Sequence, residues 1–163
     1  MGFSGGALRL RLVTADEFPA WIAASRAGYA EGIELHGGQT REAAQRKADH
    51  DIAAVLTRGL ETPGQALYVV EVGGRPVGRL WLGETESNGR RALFVYDIAI
   101  EAGHRGQGYG SAAMRQVEEE ARARELRRIE LHVFGANGVA RRLYRSLGYV
   151  ETSVRMAKDL GGP

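Results

Sequence analysis

The hydrophobic pattern is clearest from Leu93 to Leu126, where three kinds of segment follow one another. Residues 93–100 are apolar, β-branched and aromatic, which is typical of a buried strand. The next ten residues, EAGHRGQGYG, form a glycine-rich loop. From Ala113 onward an apolar residue recurs every third or fourth position, which predicts a helix. The loop is therefore expected at the N-terminus of this helix.

The rest of the chain divides into shorter elements. The pattern before this stretch predicts a strand over 7–13, a helix from Phe18 to about Ala30, a loop over 31–38, a helix from Thr40 to about Arg58, strands over 66–72 and 77–82, and a polar turn over 84–91. After it we expect a strand over 128–134, a helix following Asn137, and a last strand over 149–157. This order predicts one α/β domain spanning 1–163, with its core at about 8–160 and a mixed central sheet flanked by helices on both faces.

The glycine-rich loop has the composition of an anion site. Gly106, Gly108 and Gly110 alternate, and residues without a Cβ let a phosphate approach the backbone closely. Arg105 adds a permanent cation that can contact phosphate through two N–H groups. Free N–H groups and the helix dipole favour an anion at this position. The pattern therefore indicates a pyrophosphate site, and a tight turn whose glycines serve packing alone is the alternative.

A dinucleotide fingerprint competes with this interpretation. Gly108, Gly110 and Ala113 fit the G-x-G-x-x-A pattern, and Glu130 follows at a suitable distance. The motif falls late, however, and a nucleotide-binding domain normally opens with it and continues through further βα units. A nicotinamide-dependent oxidoreductase is therefore the less favoured hypothesis.

The second informative stretch runs from Asn137 to Tyr149. Asn137 is a good helix cap, and the apolar residues that follow recur on one helix face. Gly148 is suited to end the helix. Tyr144 brings a hydroxyl to the apolar face, where it is either a core tyrosine bonded to backbone or a functional group.

Composition excludes several classes of protein. The chain has 163 residues, a net charge of +2 and basic residues spread along its length, so nucleic acid is not an expected partner. It has no cysteine, which rules out disulfides and thiolate chemistry and fits a reducing, cytoplasmic compartment. No apolar run approaches the ~20 residues of a membrane span. The four histidines show no metal-ligand spacing, and no metal is expected.

Together these motifs resemble the GNAT superfamily of N-acetyltransferases, in particular its bacterial members. Arg105-x-x-Gly108-x-Gly110 is similar to the family's (Q/R)-x-x-G-x-(G/A), and N-x-x-A-x-x-L-Y-x-x-x-G-Y follows from Asn137. The resemblance covers about Leu8 to Leu160. It implies an enzyme that transfers the acetyl group of acetyl-CoA to a primary amine of a small molecule, peptide or protein by direct attack. A non-catalytic acyl-CoA sensor is the alternative within the same resemblance, and a homodimer is left open.

The resemblance also implies roles for individual residues. The backbone of Ile98, Ala99 and Ile100 would pair with the pantetheine arm, and Tyr144 would lie near the sulfur as general acid. The cofactor's pyrophosphate and neighbouring groups would be held by Arg105, Gly106, Gln107, Gly108, Tyr109, Gly110, Ser111 and Asn137.

The general base and the acceptor are less defined. The candidates for the base are Asp97, Glu31, Glu34, His36 and Glu84, and a chain of water molecules is the alternative. Residues 31–38 and 84–91 are expected to shape the acceptor site, where their carboxylates would attract a cationic amine.

Overall fold

Five strands form one sheet in the computed structural model, which describes residues 6–162. The strands are β1 (Leu8–Leu12), β2 (Gln65–Val72), β3 (Arg75–Ser87), β4 (Arg90–Ile100) and β5 (Ile129–Leu131), and they lie side by side in chain order. Neighbours run antiparallel except β4 and β5, which are parallel. The helices are α1 (Phe18–Gly37), α2 (Arg41–Val55), α3 (Tyr109–Ala123) and α4 (Gly138–Ser146). The predicted mixed sheet is confirmed.

Helices cover both faces of the sheet, as predicted. Along β2, Leu67 and Val69 face a cluster that includes Trp21 of α1 and Ile52 of α2. The alternate residues of β2 face the opposite cluster, in which α3 contributes its apolar stripe of Ala113, Met114, Val117 and Ala121. Successive strand residues point to opposite faces, so a strand covered on both sides has a continuous apolar sequence.

The prediction of a loop over residues 31–38 is wrong. Helix α1 continues to Gly37 and ends at Gly38, which has the left-handed backbone of a helix C-terminus. Ile33 is almost fully buried, and a Cβ added to Gly37 would lie 3.4 Å from the ring of Phe134. Packing against α2 and Phe134 therefore compensates for the low helix propensity of the glycines.

The prediction of a polar turn over residues 84–91 is also wrong. Strand β3 extends to Ser87 and β4 begins at Arg90, so the turn consists of Asn88 and Gly89 alone. Both residues have positive φ, as a two-residue hairpin turn of this kind requires. Polar side chains on this hairpin made the strands resemble a loop.

The last predicted strand has no counterpart. The strand predicted over 128–134 is limited to Ile129–Leu131, and residues 149–157 are not in any strand of the described chain. The segment from Tyr149 to Gly162 shows no helix, turn or bend, and every residue from Val150 to Gly162 is exposed. A strand needs a neighbour to bond with, and the sequence pattern alone does not indicate whether one is available.

Candidate functional site

The site is built where β4 and β5 separate. Strand β5 pairs with β4 only at Leu93, Phe94 and Val95, whereas β3 stays paired with β4 as far as Ile100. Within the described chain, the β5-facing edge of β4 therefore has no strand beside it from Tyr96 onward. Ile98, Ala99 and Ile100, which the resemblance assigns to the pantetheine arm, lie on this open edge. An extended ligand that carries amide groups could bond there as an additional strand does.

A β-bulge lies at the beginning of this edge. Trp81 of β3 is opposite Asp97 and Leu82 is opposite Val95, so Tyr96 is the extra residue of β4. A bulge leaves the extra residue outside the regular ladder and bends the strand. The backbone at Tyr96 is therefore free to serve a function other than sheet pairing.

The glycine-rich loop presents a run of unpaired donors at the end of β4. No backbone N–H from Gly106 to Ser111 has an acceptor among residues 6–162, and the first helical bond of α3 runs from Ala112 to Gly108. Gly106 and Gly108 have φ of 74° and 80°, which a residue with a Cβ rarely adopts. Six consecutive free N–H groups beside a helix N-terminus form a site for an anion.

The other predicted residues of the loop differ in their surroundings. Arg105 is exposed and donates from Nε to the carbonyl of Ile100 at 2.9 Å. Gly110 lies in the first turn of α3, where an added Cβ would be 3.4 Å from Leu143 of α4. Gln107 is exposed, while Tyr109 packs against the core. Gly110 thus lies at the contact between α3 and α4, where an added Cβ would be at about van der Waals distance from Leu143.

Helix α4 carries the second predicted group. Asn137 caps the helix as predicted, because its Oδ1 accepts from the N–H of Ala140 at 3.1 Å. The Tyr144 ring lies 5.8 Å from the ring of Tyr149. Its hydroxyl has no hydrogen-bond partner among the described residues, so it is not a core tyrosine bonded to backbone. Burial, and then the charge of Asp97, raise the pKa of Tyr144 to about 12.

Asp97 is engaged by two other elements. Ser25 of α1 donates to its Oδ2 at 2.7 Å, and Arg79 of β3 donates from Nε to the same oxygen at 2.6 Å. Both members of the Asp97–Arg79 pair are largely buried. The Oδ2 atom of Asp97 is therefore engaged by two donors that come from different elements. One signal for this cluster is visible in the sequence, where Ser25 is a polar residue in the apolar stripe of a helix.

The other candidate bases are spread over α1 and β3, and two of them are paired with an arginine. Glu31, Glu34 and His36 lie on the last turns of α1, and Glu34 accepts from Arg41. Glu84 lies opposite Leu93, at the far end of β4 from the glycine-rich loop, and accepts from Arg91 at 2.8 Å. The structure therefore does not bring the five candidates together.

Three further observations concern the described residues. A cavity of about 390 Å³ is lined by Arg90, Arg91, Glu125, Leu126, Arg127 and Arg128. It lies where β4 begins, at the opposite end of that strand from the glycine-rich loop, and is not part of the site.

Within residues 6–162, no three His, Cys, Asp or Glu side chains are grouped as a metal ion would require. The described helices include none that is long and apolar enough to cross a membrane.

Comparison with known proteins adds independent evidence. The model of the acetyltransferase (GNAT) family matches residues 29–149. The uncharacterised N-acetyltransferase YycN of Bacillus subtilis is 33% identical over 146 residues, which are 89% of this chain and 94% of YycN. A second B. subtilis protein, the uncharacterised N-acetyltransferase YdgE, is 28% identical over 94% of this chain and 99% of its own.

Solved structures have the same fold. The crystal structure of YycN has a TM-score of 0.89 at 31% identity and covers 96% of this chain and 100% of its own. A predicted acetyltransferase with acetyl-CoA from Clostridium acetobutylicum has a TM-score of 0.62 at 12% identity, covering 93% of this chain and 96% of its own. The second likeness is evidence for the fold alone.

Proposed function

The chain belongs to the GNAT family of acetyltransferases, and from this we propose that it binds acetyl-CoA between the glycine-rich loop and the open edge of β4 and transfers the acetyl group to a primary amine. The observation that carries the proposal is the run of six free N–H groups from Gly106 to Ser111 at the end of that edge. A diphosphate suits such a run, and the amide-bearing arm attached to it suits an unpaired strand edge.

Backbone groups would do most of the binding. The N–H groups of the loop would hold the diphosphate, and Arg105 is placed to add a charge-assisted contact. Bound acetyl-CoA supplies the thioester that the amine attacks. A donor from β4 near the bulge or near Ile98 would stabilise the charge that develops on the thioester oxygen.

Tyr144 is the proposed general acid. When the amine nitrogen attacks the acetyl carbon and the carbon–sulfur bond breaks, the sulfur leaves as a thiolate. With a Tyr144 pKa of about 12 and a reference thiol pKa of ~8.5, protonation of the thiolate by the tyrosine is uphill by ~5 kcal/mol. With a tyrosine of unperturbed pKa, the same proton transfer would be uphill by ~2 kcal/mol. Burial beside Tyr144 also raises the pKa of the thiol, which reduces this difference.

We assign no side chain as the general base. Asp97 is occupied by Arg79 and Ser25, and Glu34 and Glu84 are each paired with an arginine. We propose that the proton that leaves the amine passes to solvent, and the amine must reach the thioester in its neutral form. The paired carboxylates also weaken the case for a strongly cationic acceptor, so a primary amine is as far as we define the acceptor.

The fold argues against the nicotinamide hypothesis. A dinucleotide-binding domain continues from its glycine motif into further parallel strands. Here β4 and β5 are the one parallel pair of the described sheet, and β5 has three residues. The relatives named as N-acetyltransferases likewise support an enzyme over a sensor.

Calorimetry and an amine screen test the proposal together. We expect acetyl-CoA to bind and NAD not to bind, and we expect release of free CoA with at least one primary amine from a panel of small amines and peptides. Arg105→Ala should weaken acetyl-CoA binding by ~10-fold to ~100-fold, because a hydrogen bond to a charged group contributes ~1.5–3 kcal/mol. Arg75→Ala, at an exposed position in the β2–β3 hairpin, is the matched control. Binding of NAD without binding of acetyl-CoA would overturn the proposal.

A further inference from the structure

Two pairs of consecutive arginines lie side by side at one end of the sheet. Arg90 and Arg91 begin β4, and Arg127 and Arg128 directly precede β5. The two strands run parallel, so their beginnings lie at the same end of the sheet. The N–H of Leu93 also donates to the carbonyl of Arg128 at 2.9 Å, which joins the two segments directly. The topology therefore brings together four guanidinium groups that are distant in the sequence.

The C-terminus of α3 fixes the position of the second pair. Glu125 has a φ of 57°, and the N–H of Leu126 donates to the carbonyl of Ala121 at 2.8 Å. Both are features of a helix end at which the chain turns away from the helix axis. Leu126 is only 4% exposed and belongs to the core on the α3 side of the sheet. Its burial holds in place the backbone that leads into Arg127.

The arginine-lined cavity between these segments is strongly cationic. Its lining contains four arginines and one glutamate, so it carries a net charge of +3, whereas the whole chain carries +2. The remaining residues are together slightly negative. The excess positive charge of the chain is therefore concentrated around this cavity.

Two of the arginines are oriented by carboxylates outside the lining. Arg91 donates to Glu84 at 2.8 Å, and Arg128 donates from Nε to Glu130. A guanidinium has five N–H donors, so Arg128 keeps both of its Nη groups for another acceptor. These two side chains are held in position and still have donors to offer.

The other two arginines are not needed for packing. Arg90 and Arg127 are exposed, and neither forms an ion pair with a carboxylate of the described residues. Glu125, the one acid of the lining, is likewise in no ion pair within the described chain. Guanidinium groups around one cavity repel one another, and an anion between them would relieve the repulsion.

We propose that the arginine-lined cavity binds a small molecule that carries two or more linked phosphate groups. Arginine is suited to phosphate because its planar fork of donors can contact two oxygens at once. A volume of about 390 Å³ lies within the range of small-molecule sites, ~300–1,000 Å³. The cavity is at the opposite end of β4 from the glycine-rich loop, so the proposal is independent of the proposed function.

Amide NMR of the ¹⁵N-labelled full chain, titrated with pyrophosphate, tests the proposal without any assay of activity. We expect saturable shifts in the signals of residues 90–91 and 125–128, with weaker binding of orthophosphate. The signals of Gly106–Ser111 report separately on any pyrophosphate that binds at the loop. A parallel titration with ADP distinguishes the sources of the phosphates. Tighter binding of ADP would identify a nucleotide, and equal binding would identify the diphosphate alone as the recognised group.

Two double variants separate a specific site from general attraction. Arg90→Gln/Arg127→Gln should weaken pyrophosphate binding at the cavity signals ~100-fold, because two contacts to a charged group are lost. Arg75→Gln/Arg155→Gln removes the same charge at two exposed positions and should bind like the parent. The dispersion of each spectrum verifies that the variant is folded.

Three results would overturn the proposal. Shifts that do not saturate, or an equal loss in both double variants, would show attraction to positive charge only. Binding of citrate as tight as that of pyrophosphate would contradict the recognition of phosphate. Tighter binding of a single-stranded RNA oligonucleotide at the same signals would contradict the assignment to a small molecule.

Discussion

At Tyr144 the ring and the hydroxyl have separable roles. The ring packs beside Tyr149 on the inner side of α4, whereas the hydroxyl has no partner in the described chain. Tyr149 has the same arrangement, with a buried hydroxyl that is also unpartnered. The two tyrosines therefore form a natural pair for comparison, since they differ in their proposed chemistry and have similar packing.

Substitution of Tyr144 by phenylalanine isolates the chemistry. Tyr144→Phe should lower kcat ~10²-fold, the lower range of general acid catalysis, with acetyl-CoA affinity almost unchanged. Its melting temperature should stay close to that of the parent, because no hydrogen bond is lost. Tyr149→Phe should change neither quantity. Equal kcat values for Tyr144→Phe and the parent would remove the catalytic assignment.

The raised pKa of Tyr144 makes a prediction about pH. A group with a pKa of about 12 remains protonated through the neutral and moderately alkaline range, so the acid stays competent there. The rate should rise with pH as the amine loses its proton, and it should not fall again up to about pH 10. A falling limb below that pH which is present in the parent and absent in Tyr144→Phe would show that the hydroxyl titrates earlier.

Among the elements, α1 is joined to the sheet by two polar contacts, from Trp21 Nε1 to the carbonyl of Tyr68 and from Ser25 to Asp97. Ser25 connects the helix to Asp97 on β4, and Arg79 joins the same carboxylate from β3. The sequence marks Ser25 as unusual but does not reveal its partners, which come from distant strands. The cluster aligns α1 with the bulged part of β4.

Removal of that contact should affect stability more than chemistry. Ser25→Ala should lower the free energy of unfolding by ~1.5–3 kcal/mol, because the lost bond involves a charged group in a buried site. The kcat value should change less than tenfold, since Asp97 is not assigned as the base. Ser146→Ala, at an exposed serine on α4, is the comparison in chemical denaturation. A large fall in kcat at unchanged stability would instead favour a catalytic role for this cluster.

Local patterns predicted the elements that pack within one subunit. The buried strand β4, the stripe of α3 and the Asn137 cap follow from spacing and residue type, and all three are observed. The predictions were wrong where contacts between residues far apart in the sequence determine the local structure. The last turns of α1 are an example, because Phe134 and α2 stabilise them. The segment 149–157 has the composition of a strand but no neighbour in its own subunit.

For the molecule as a whole, the features of the proposed site lie at one end of the sheet. The opening between β4 and β5, the bulge at Tyr96 and the glycine-rich loop all lie towards the end of β4. The arginine-lined cavity lies at the other end of that strand. The motif in the sequence identified the loop, but the open edge of β4 became evident only from the register of its neighbours.

The proposed function requires the backbone of the glycine-rich loop to hold the diphosphate of CoA. Amide NMR of uniformly ¹⁵N-labelled protein, titrated with CoA and separately with NAD, observes these N–H groups themselves and needs no knowledge of the acceptor. We expect CoA to shift the amide signals of Gly106–Ser111 and to slow their hydrogen exchange, because these free N–H groups gain acceptors, and we expect NAD to leave them unchanged. CoA binding that leaves all six signals unmoved would contradict it.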